Sequence, residues 1–429
     1  MSDASLQLMC KVIGWEITTL KDCSQFIKDG THGTHKRVID GIPLLSAKNI
    51  TKSGKVEWNS SDSRVSEVDY QKIHSKYSLQ KDDLLLTVVG TLGRRALVPV
   101  CVKFTIQRSI GVIRTNNEEL LPSFLYHYCD TEAFQKQLEL RSNATAQAGV
   151  YLGELAKIPL PLPPLPEQQK IAAILTSVDE VIEKTQAQIN KLKDLKTGMM
   201  QELLTRGVGV DGKPHTEFKD SPVGRIPKGW KVEQISTLCS HVVDCVNKTA
   251  PVVDYKTPYK MIRTTNVRHG RVDTVNVRNV TKETYDIWTR RLLPEIGDLI
   301  FTREAPVGEC GILEDAKGIF LGQRTMMYRA DESKTSSYFL MYSLMSEYGK
   351  QQLEDFSGGS TVPHMRVPDC GKVLIKLPSK KEQNTIVNSL KSVDVAIKNK
   401  EHKLKKMNDT KKALMQDLLT GKVRVKVDS

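Results

Sequence analysis

The side chains best suited to chemistry in this sequence are cations set in short polar loops. The first half carries Lys48 ahead of a turn, then Arg94, Arg95 and Arg108. The second carries Arg263, Arg268 and Arg271, then Arg303 and Arg324, with Arg278, Arg290 and Arg291 between them. A guanidinium is a planar fork of donors that grips phosphate bidentately or takes both major-groove acceptors of guanine. Spread over loops, such residues suit a nucleic-acid duplex, with most contacts made to phosphate and a minority reading bases. Thr264, Thr265 and Asn266, and the run from Ser357 to Thr361, add groups able to hydrogen-bond base edges, although these residue types are also ordinary turn formers. A net charge of +13 and a pI near 9.2 agree with a polyanionic partner. A generally solvated basic surface is the plain alternative.

Bond-making chemistry has no such candidates. No Gly-rich loop ends in Lys-Ser or Lys-Thr, no GxGxxG follows a strand, and no HExxH, GxSxG or paired-carboxylate signature occurs. The Asn- or Asp-Pro-Pro-aromatic tetrapeptide of amino-methyltransferases is missing, since Pro163-Pro164 lies between leucines. His32 and His35 flank Gly33 in what reads as a polar turn. None of the eight cysteines (Cys10, Cys23, Cys101, Cys129, Cys239, Cys245, Cys310, Cys370) forms a CxxC pair or a zinc-spaced run, so reduced structural thiols and no metal site are expected. The sequence shows no secretory segment and no apolar run near the ~20 residues that span a bilayer, which points to the cytoplasm.

The loops need elements to hold them. From Leu165 to Arg206, apolar residues fall at heptad spacing: Ile171, Val178, Leu192 and Met199 in one row, and Leu175, Ile182, Ile189 and Leu203 in the other. That is the seam of a long amphipathic helix built to pack on another helix. The seam returns 215 residues later as Ile386, Leu390, Val393, Ile397, Leu404, Met407 and Leu418. Ser177-Val178-Asp179 recurs as Ser392-Val393-Asp394, and Lys196 and Lys411 interrupt the two seams at equivalent places. Identical register over so long a stretch marks an internal duplication.

The segments before the helices repeat too. Gly14-Trp15 pairs with Gly229-Trp230, Pro43 with Pro258, Asp83-Leu84-Leu85 with Asp298-Leu299-Ile300, and Phe124-Leu125 with Phe339-Leu340. Gln107-Arg108 pairs with Gln323-Arg324 at a spacing one residue longer, and Tyr285 to Trp288 has no residue-level echo around Tyr70. Short β-rich pieces run through the first segment, including Ile42 to Leu45, Asp83 to Val89, Arg95 to Val100 and Ile110 to Arg114. One helix is expected over Pro122 to Leu140, with Phe124, Leu125, Tyr128 and Phe134 on one face. The proline run from Ile158 to Pro166 reads as an extended, stiff lead-in to the long helix. A lysine-rich face from Lys398 to Lys412 is suited to DNA, to an acidic partner, or simply to water.

Here the residues carry a resemblance. PLPPLPEQQKIAAIL (161–175), GDLIFTREAPVG (297–308) and MMQELLTRG (199–207), in a chain that repeats the order lobe, lead-in, helix, resemble the specificity subunit of a type I restriction-modification system. In the second half the lead-in departs to KLPSKKEQNTIV (376–387), which keeps Leu377-Pro378 and Glu382-Gln383 but loses the proline run. The resemblance implies an α/β (α+β) fold with an internal pseudo-two-fold repeat. Two target recognition domains, 1–164 and 207–378, would be joined by two long antiparallel coiled-coil helices, 165–206 and 379–420, before a short tail, 421–429. It implies double-stranded DNA as ligand, each domain reading one half of a bipartite asymmetric site, and no catalysis by the chain itself. It also implies two methyltransferase subunits and restriction translocase-nuclease subunits as partners, with S-adenosylmethionine, ATP and Mg on those partners. Helices of about 40 residues span roughly 60 Å, so helix length would act as a ruler. The rival readings are a methyltransferase with a fused specificity domain, opposed by the missing motifs, and a coiled-coil scaffold that binds only proteins.

Overall fold

Where the proline run stops, a helix starts. A computed structural model of the chain describes residues 14–100, 103–143, 148–209, 212–358 and 363–427; Cys10, Cys101, Thr145 and most of the Ser357-to-Thr361 run lie outside them. Pro159–Leu162 is an extended strand paired antiparallel with Glu16–Thr19. The first long helix follows at Leu165–Leu203, and the second occupies Lys380–Leu418. A proline in the first turn, Pro166, costs little because its missing N–H has no partner there. Gln168 locks the junction: its amide donates to Glu119 O (2.7 Å) and Pro163 O (2.8 Å) and accepts from Leu121 N (2.8 Å). Gln383 repeats the lock with Lys334 O and Pro378 O, both at 3.1 Å. Both helices give way to a glycine of positive φ, Gly207 and Gly421, which relieves the steric cost of a left-handed stop.

The chain divides into two units, Met1–Gln186 with His402–Ser429, and Ala187–Glu401. The division cuts through both long helices. In the first unit, a four-stranded antiparallel sheet has the order Ser24–Asp29, Ile110–Thr115, Leu84–Thr87, Arg95–Leu97. A smaller sheet centres on Ile42–Leu45, with Arg64–Val65 antiparallel and Thr105–Ile106 parallel to it. Ile171 and Leu175, early in the first long helix, share a core with Trp15, Phe124, Leu125, Tyr128 and Phe134, and with Met415, Leu418 and Leu419, late in the second. Early meets late, so the two helices are antiparallel within this unit.

The second unit repeats the plan: Cys239–Asp244, Thr325–Ala330, Leu299–Arg303 and Val307–Ile312 lie side by side in one sheet, and Lys260–Ile262 is flanked by Arg278–Asn279 and Ile319–Leu321 in another. A hairpin, Val267–Arg268 with Gly270–Val272, extends the larger sheet here. Met200 and Leu204 join Ile386, Val387 and Leu390 in its core, again late against early.

Three expectations change. The helix over Pro122 to Leu140 is two helices, Pro122–Tyr128 and Glu132–Leu140, because the Thr131 side chain caps the second by accepting from Phe134 N (3.2 Å). The Tyr285 segment does have an echo. Glu67–Ile73 and Lys282–Thr289 are equivalent helices, capped by Ser66 and Thr281, with Tyr70 and Tyr285 in matching places. Pro43 and Pro258 are not equivalent, since Pro43 pairs with Arg64 whereas Lys260 takes that position opposite Asn279.

Candidate nucleic-acid interface

Each lobe is braced from within by the same ion pair. Asp83 is buried and takes both Arg114 Nε and Arg114 Nη2 at 2.7 Å. Asp298 takes Arg329 Nε and Arg329 Nη2 at 2.8 Å, and the remaining donors reach Ser78 O and Leu293 O respectively. Asn49 and Asn266 brace a second point: each accepts from a backbone N–H three residues earlier, at 3.0 Å, so Asn266 is a structural residue of its turn. Against this shared frame the loop cations can be sorted.

In the first lobe, Lys48 and Arg108 come together. Ala47 N donates to Ser109 Oγ (3.1 Å), so the turn bearing Lys48 rests on the turn bearing Arg108. Lys48 is exposed, 2.6 Å from Asp62, and with the Asn59 N–H it holds the Asp62 carboxyl down to about 2. Arg108 is exposed; Arg108 N donates to Thr31 O (3.2 Å), which brings in the loop bearing Lys36 and Arg37, both exposed. Sequence reasoning missed these two, although His35-Lys36-Arg37 is a legible charge run. His32 and His35 are spent inside that loop, on Asp29 and Thr31 at 2.6 Å each.

Arg94 is half-buried and donates to Ile50 O (3.1 Å). Arg95 leaves the candidate set. Its guanidinium is 3% exposed, 2.7 Å from Asp130 and 4.7 Å from the centre of the Tyr126 ring, so it cannot reach a duplex. Successive residues of a strand face opposite ways, and Arg95 is the one that faces inward.

In the second lobe, Arg303 and Arg324 are adjacent through Arg303 N to Arg324 O (2.9 Å). Arg324 is 47% exposed and 3.1 Å from Glu304, whereas Arg303 donates to Met365 O (3.1 Å). Arg263 is half-buried, next to the Ile262 carbonyl that accepts from Gly322 N (2.7 Å). Arg268 and Arg271 lie on the Val267–Val272 hairpin, the counterpart of the Ile50–Val56 turn of the first unit. Arg268 donates to Thr264 O and Val267 O (2.7 Å each), and Arg271 reaches Glu401 on the second long helix (3.1 Å).

The helix-pairing residues Ile171, Leu175, Ile189, Ile386, Leu390, Val393, Ile397 and Leu418 are buried, and Val178, Ile182, Leu192, Leu203 and Leu404 are half-buried. The lysines that interrupt the seams have partners. Lys411 is 2.7 Å from Asp179 in the first unit, and Lys196 is 2.7 Å from Asp394 in the second. Lys411 is therefore not part of an exposed lysine face. Burial pushes the thiols of Cys23, Cys239, Cys310 and Cys370 up to about 12, which leaves them inert. Among the described residues no cluster is arranged to hold a metal ion, and no helix is long and apolar enough to cross a membrane.

One scaffold used twice, with different exposed cations and amides on matching turns, defines a protein that takes hold of an extended polyanion through two related lobes. Comparison with known proteins gives that class a family. The type I restriction modification DNA specificity domain matches residues 38–194 and 227–408. The MjaVIII specificity subunit, of a type I restriction enzyme of Methanocaldococcus jannaschii, is 30% identical over 325 residues, 74% of each chain. The EcoKI specificity subunit of Escherichia coli K12 is 20% identical over 430 residues, covering 96% of this chain and 89% of its own. A type I system S subunit from M. genitalium has the same fold, with a TM-score of 0.59 at 14% identity, covering 94% of this chain and 96% of that one. The chain belongs to the type I restriction-modification DNA specificity family. Its role is that of a specificity subunit, recognition of DNA sequence and not catalysis, in company with other restriction-modification subunits.

Proposed function

We propose that this chain reads a bipartite, asymmetric DNA site, one part with each lobe, and delivers two methyltransferase subunits and the restriction translocase-nuclease subunits to it. The observation that carries the reading is the contrast between frame and loops. The Asp–Arg brace, the Asn turn and the Gln lock recur in both lobes, while the exposed residues around the matching turns differ. Two readers of different half-sites need that combination. On this reading S-adenosylmethionine, ATP and Mg belong to the partner subunits, and the exposed cations Lys48, Arg108 and Arg324 supply salt-dependent affinity.

Mapping methylated adenines in cells with and without the chain, its partner subunits present, tests the proposal. A two-part motif that appears only with the chain is the expected result; an unchanged methylome overturns it. Inserting one helical turn beside both Lys191 and Lys406 sharpens the test. The unread gap should lengthen by roughly two base pairs, since a turn rises 5.4 Å and a base pair about 3.4 Å. Altered half-site bases would count against a ruler.

A further inference from the structure

The paired turns admit a sharper statement than the sequence match suggests. Gln107-Arg108 and Gln323-Arg324 look equivalent, but the backbone hydrogen bonds align them differently. Gln107 N donates to Leu45 O (2.8 Å), and it is Gly322 N that donates to the matching Ile262 O (2.7 Å). Val88 N donates to Ser109 O (3.0 Å), and Arg303 N to Arg324 O (2.9 Å). The strands after the turn agree, with Thr87 opposite Ile110 and Thr302 opposite Thr325. Gly322 therefore stands where Gln107 does, Gln323 where Arg108 does, and Arg324 where Ser109 does. The repeated dipeptide is an accident of composition.

The corrected register places one arginine and one glutamine at a single position of one turn. Arg108 is exposed and has no side-chain partner among the described residues. The other described arginines of its unit are all engaged: Arg37, Arg64 and Arg94 on carbonyls, Arg95, Arg114 and Arg424 on carboxylates, and Arg141 on Gln137. Gln323 is half-exposed, and its Oε1 accepts from Thr249 Oγ1 (3.1 Å) in the loop after Cys239–Asp244. That contact orients the amide and leaves one Oε1 lone pair and both Nε2 hydrogens for a ligand. Lys36 and Arg37 are on the loop that meets Arg108 through Thr31, Lys248 precedes the Thr249 that meets Gln323, and Arg324 follows Gln323 in sequence; all four are exposed. Both turns thus present a bidentate side chain beside loops that carry exposed cations.

We propose that this turn position specifies a base in each half-site, with Arg108 taking a guanine and Gln323 an adenine. The proposal rests on the two-lobe reading given above and assigns its residues. Arginine pairs with O6 and N7 of guanine, and glutamine with N6 and N7 of adenine. A guanidinium at this position in one lobe and an amide in the other are the side chains that two different purines call for.

The test is reciprocal exchange in the full chain with its partner subunits, Arg108→Gln and Gln323→Arg, read by methylome mapping. Arg108→Gln should change preference at one base pair of one half-site from guanine to adenine, by roughly 5- to 150-fold, and leave the other half-site alone. Gln323→Arg should do the converse in the other half-site. Retention of the unaltered half-site shows in the same experiment that the variant is folded. For a variant that methylates nothing, selection of bound duplexes from random-sequence DNA by the purified chain reads the preference directly, beside Arg108→Lys, which should keep guanine. An unchanged motif in both exchanges overturns the proposal. So does a uniform loss of binding with no new base preference, which is the signature of a phosphate contact. If the unaltered chain sets no two-part motif at all, the two-lobe reading has failed, and that outcome is distinct from failure of the exchange alone.

Discussion

Where each lobe meets its helices, the two units answer one packing problem differently. In the first, Arg95, Asp130, Lys411 and Asp179 form a chain of alternating charge: Arg95 to Asp130 at 2.7 Å, Asp130 to Lys411 at 3.6 Å, and Lys411 to Asp179 at 2.7 Å. In the second, Cys310 and Met345 occupy the places of Arg95 and Asp130, and only Lys196 and Asp394 remain, with Tyr342 Oη donating to Asp394 (2.6 Å). His127 stands where Tyr342 does, donor or acceptor to Thr176 (3.0 Å) and buried. The lesson is that the Lys–Asp pair crossing the helices is the common element, and the layer beneath it is free to be ionic or apolar. A chain of alternating charge and an apolar plug both avoid a lone buried charge.

The largest expected effect probes what is shared. Asp83→Ala and Asp298→Ala should each cost about 3–5 kcal/mol, because each strands a forked guanidinium beside a buried site. Denaturant unfolding followed by hydrogen exchange, unit by unit, reads this; a marked inequality would mean that the frames are alike in geometry only.

A middle-sized effect separates the units. Burial, reinforced by Lys411 and Arg95, pulls the His127 imidazole down to about 3. The unfolded chain takes up its proton near 6.5 and the folded unit does not, so the stability of the first unit is intact above that pH and falls below it. The loss should be about 2 kcal/mol between pH 6.5 and 5. His127→Tyr, which copies the second unit, should flatten the profile, as hydrogen exchange at pH 7 and pH 5 would show. A wild-type first unit insensitive to acid over this range would contradict the argument.

The smallest effect concerns the exposed ties from loop to helix. Lys55 reaches Glu183 at 2.8 Å in the first unit, and Arg271 reaches Glu401 at 3.1 Å in the second. Lys55→Ala and Arg271→Ala should each cost under about 1 kcal/mol by thermal denaturation, since both pairs are half in water. A larger loss at Arg271 alone would give the Val267–Val272 hairpin a structural role that its first-unit counterpart, Ile50 to Val56, lacks.

The seams and the duplication were legible in the sequence because helical periodicity is regular and the copies kept their register. Lys196 and Lys411 stood out as interruptions, but their partners Asp394 and Asp179 lie on the opposite helix, where spacing along one helix says nothing. Arg95 was misjudged because alternation along a strand decides which of two adjacent arginines is inside, and a basic dipeptide does not reveal its phase. The turn register was misjudged because a two-residue identity outweighed a pairing that only hydrogen bonds reveal.

The first unit draws a strip of its core, Met415, Leu418 and Leu419, from the far end of the second long helix, while the second is one unbroken segment of chain, Ala187–Glu401. During synthesis the later lobe is therefore complete first. The earlier one waits with Ile171, Leu175 and Trp15 short of their cover until the second long helix has been made through Leu419.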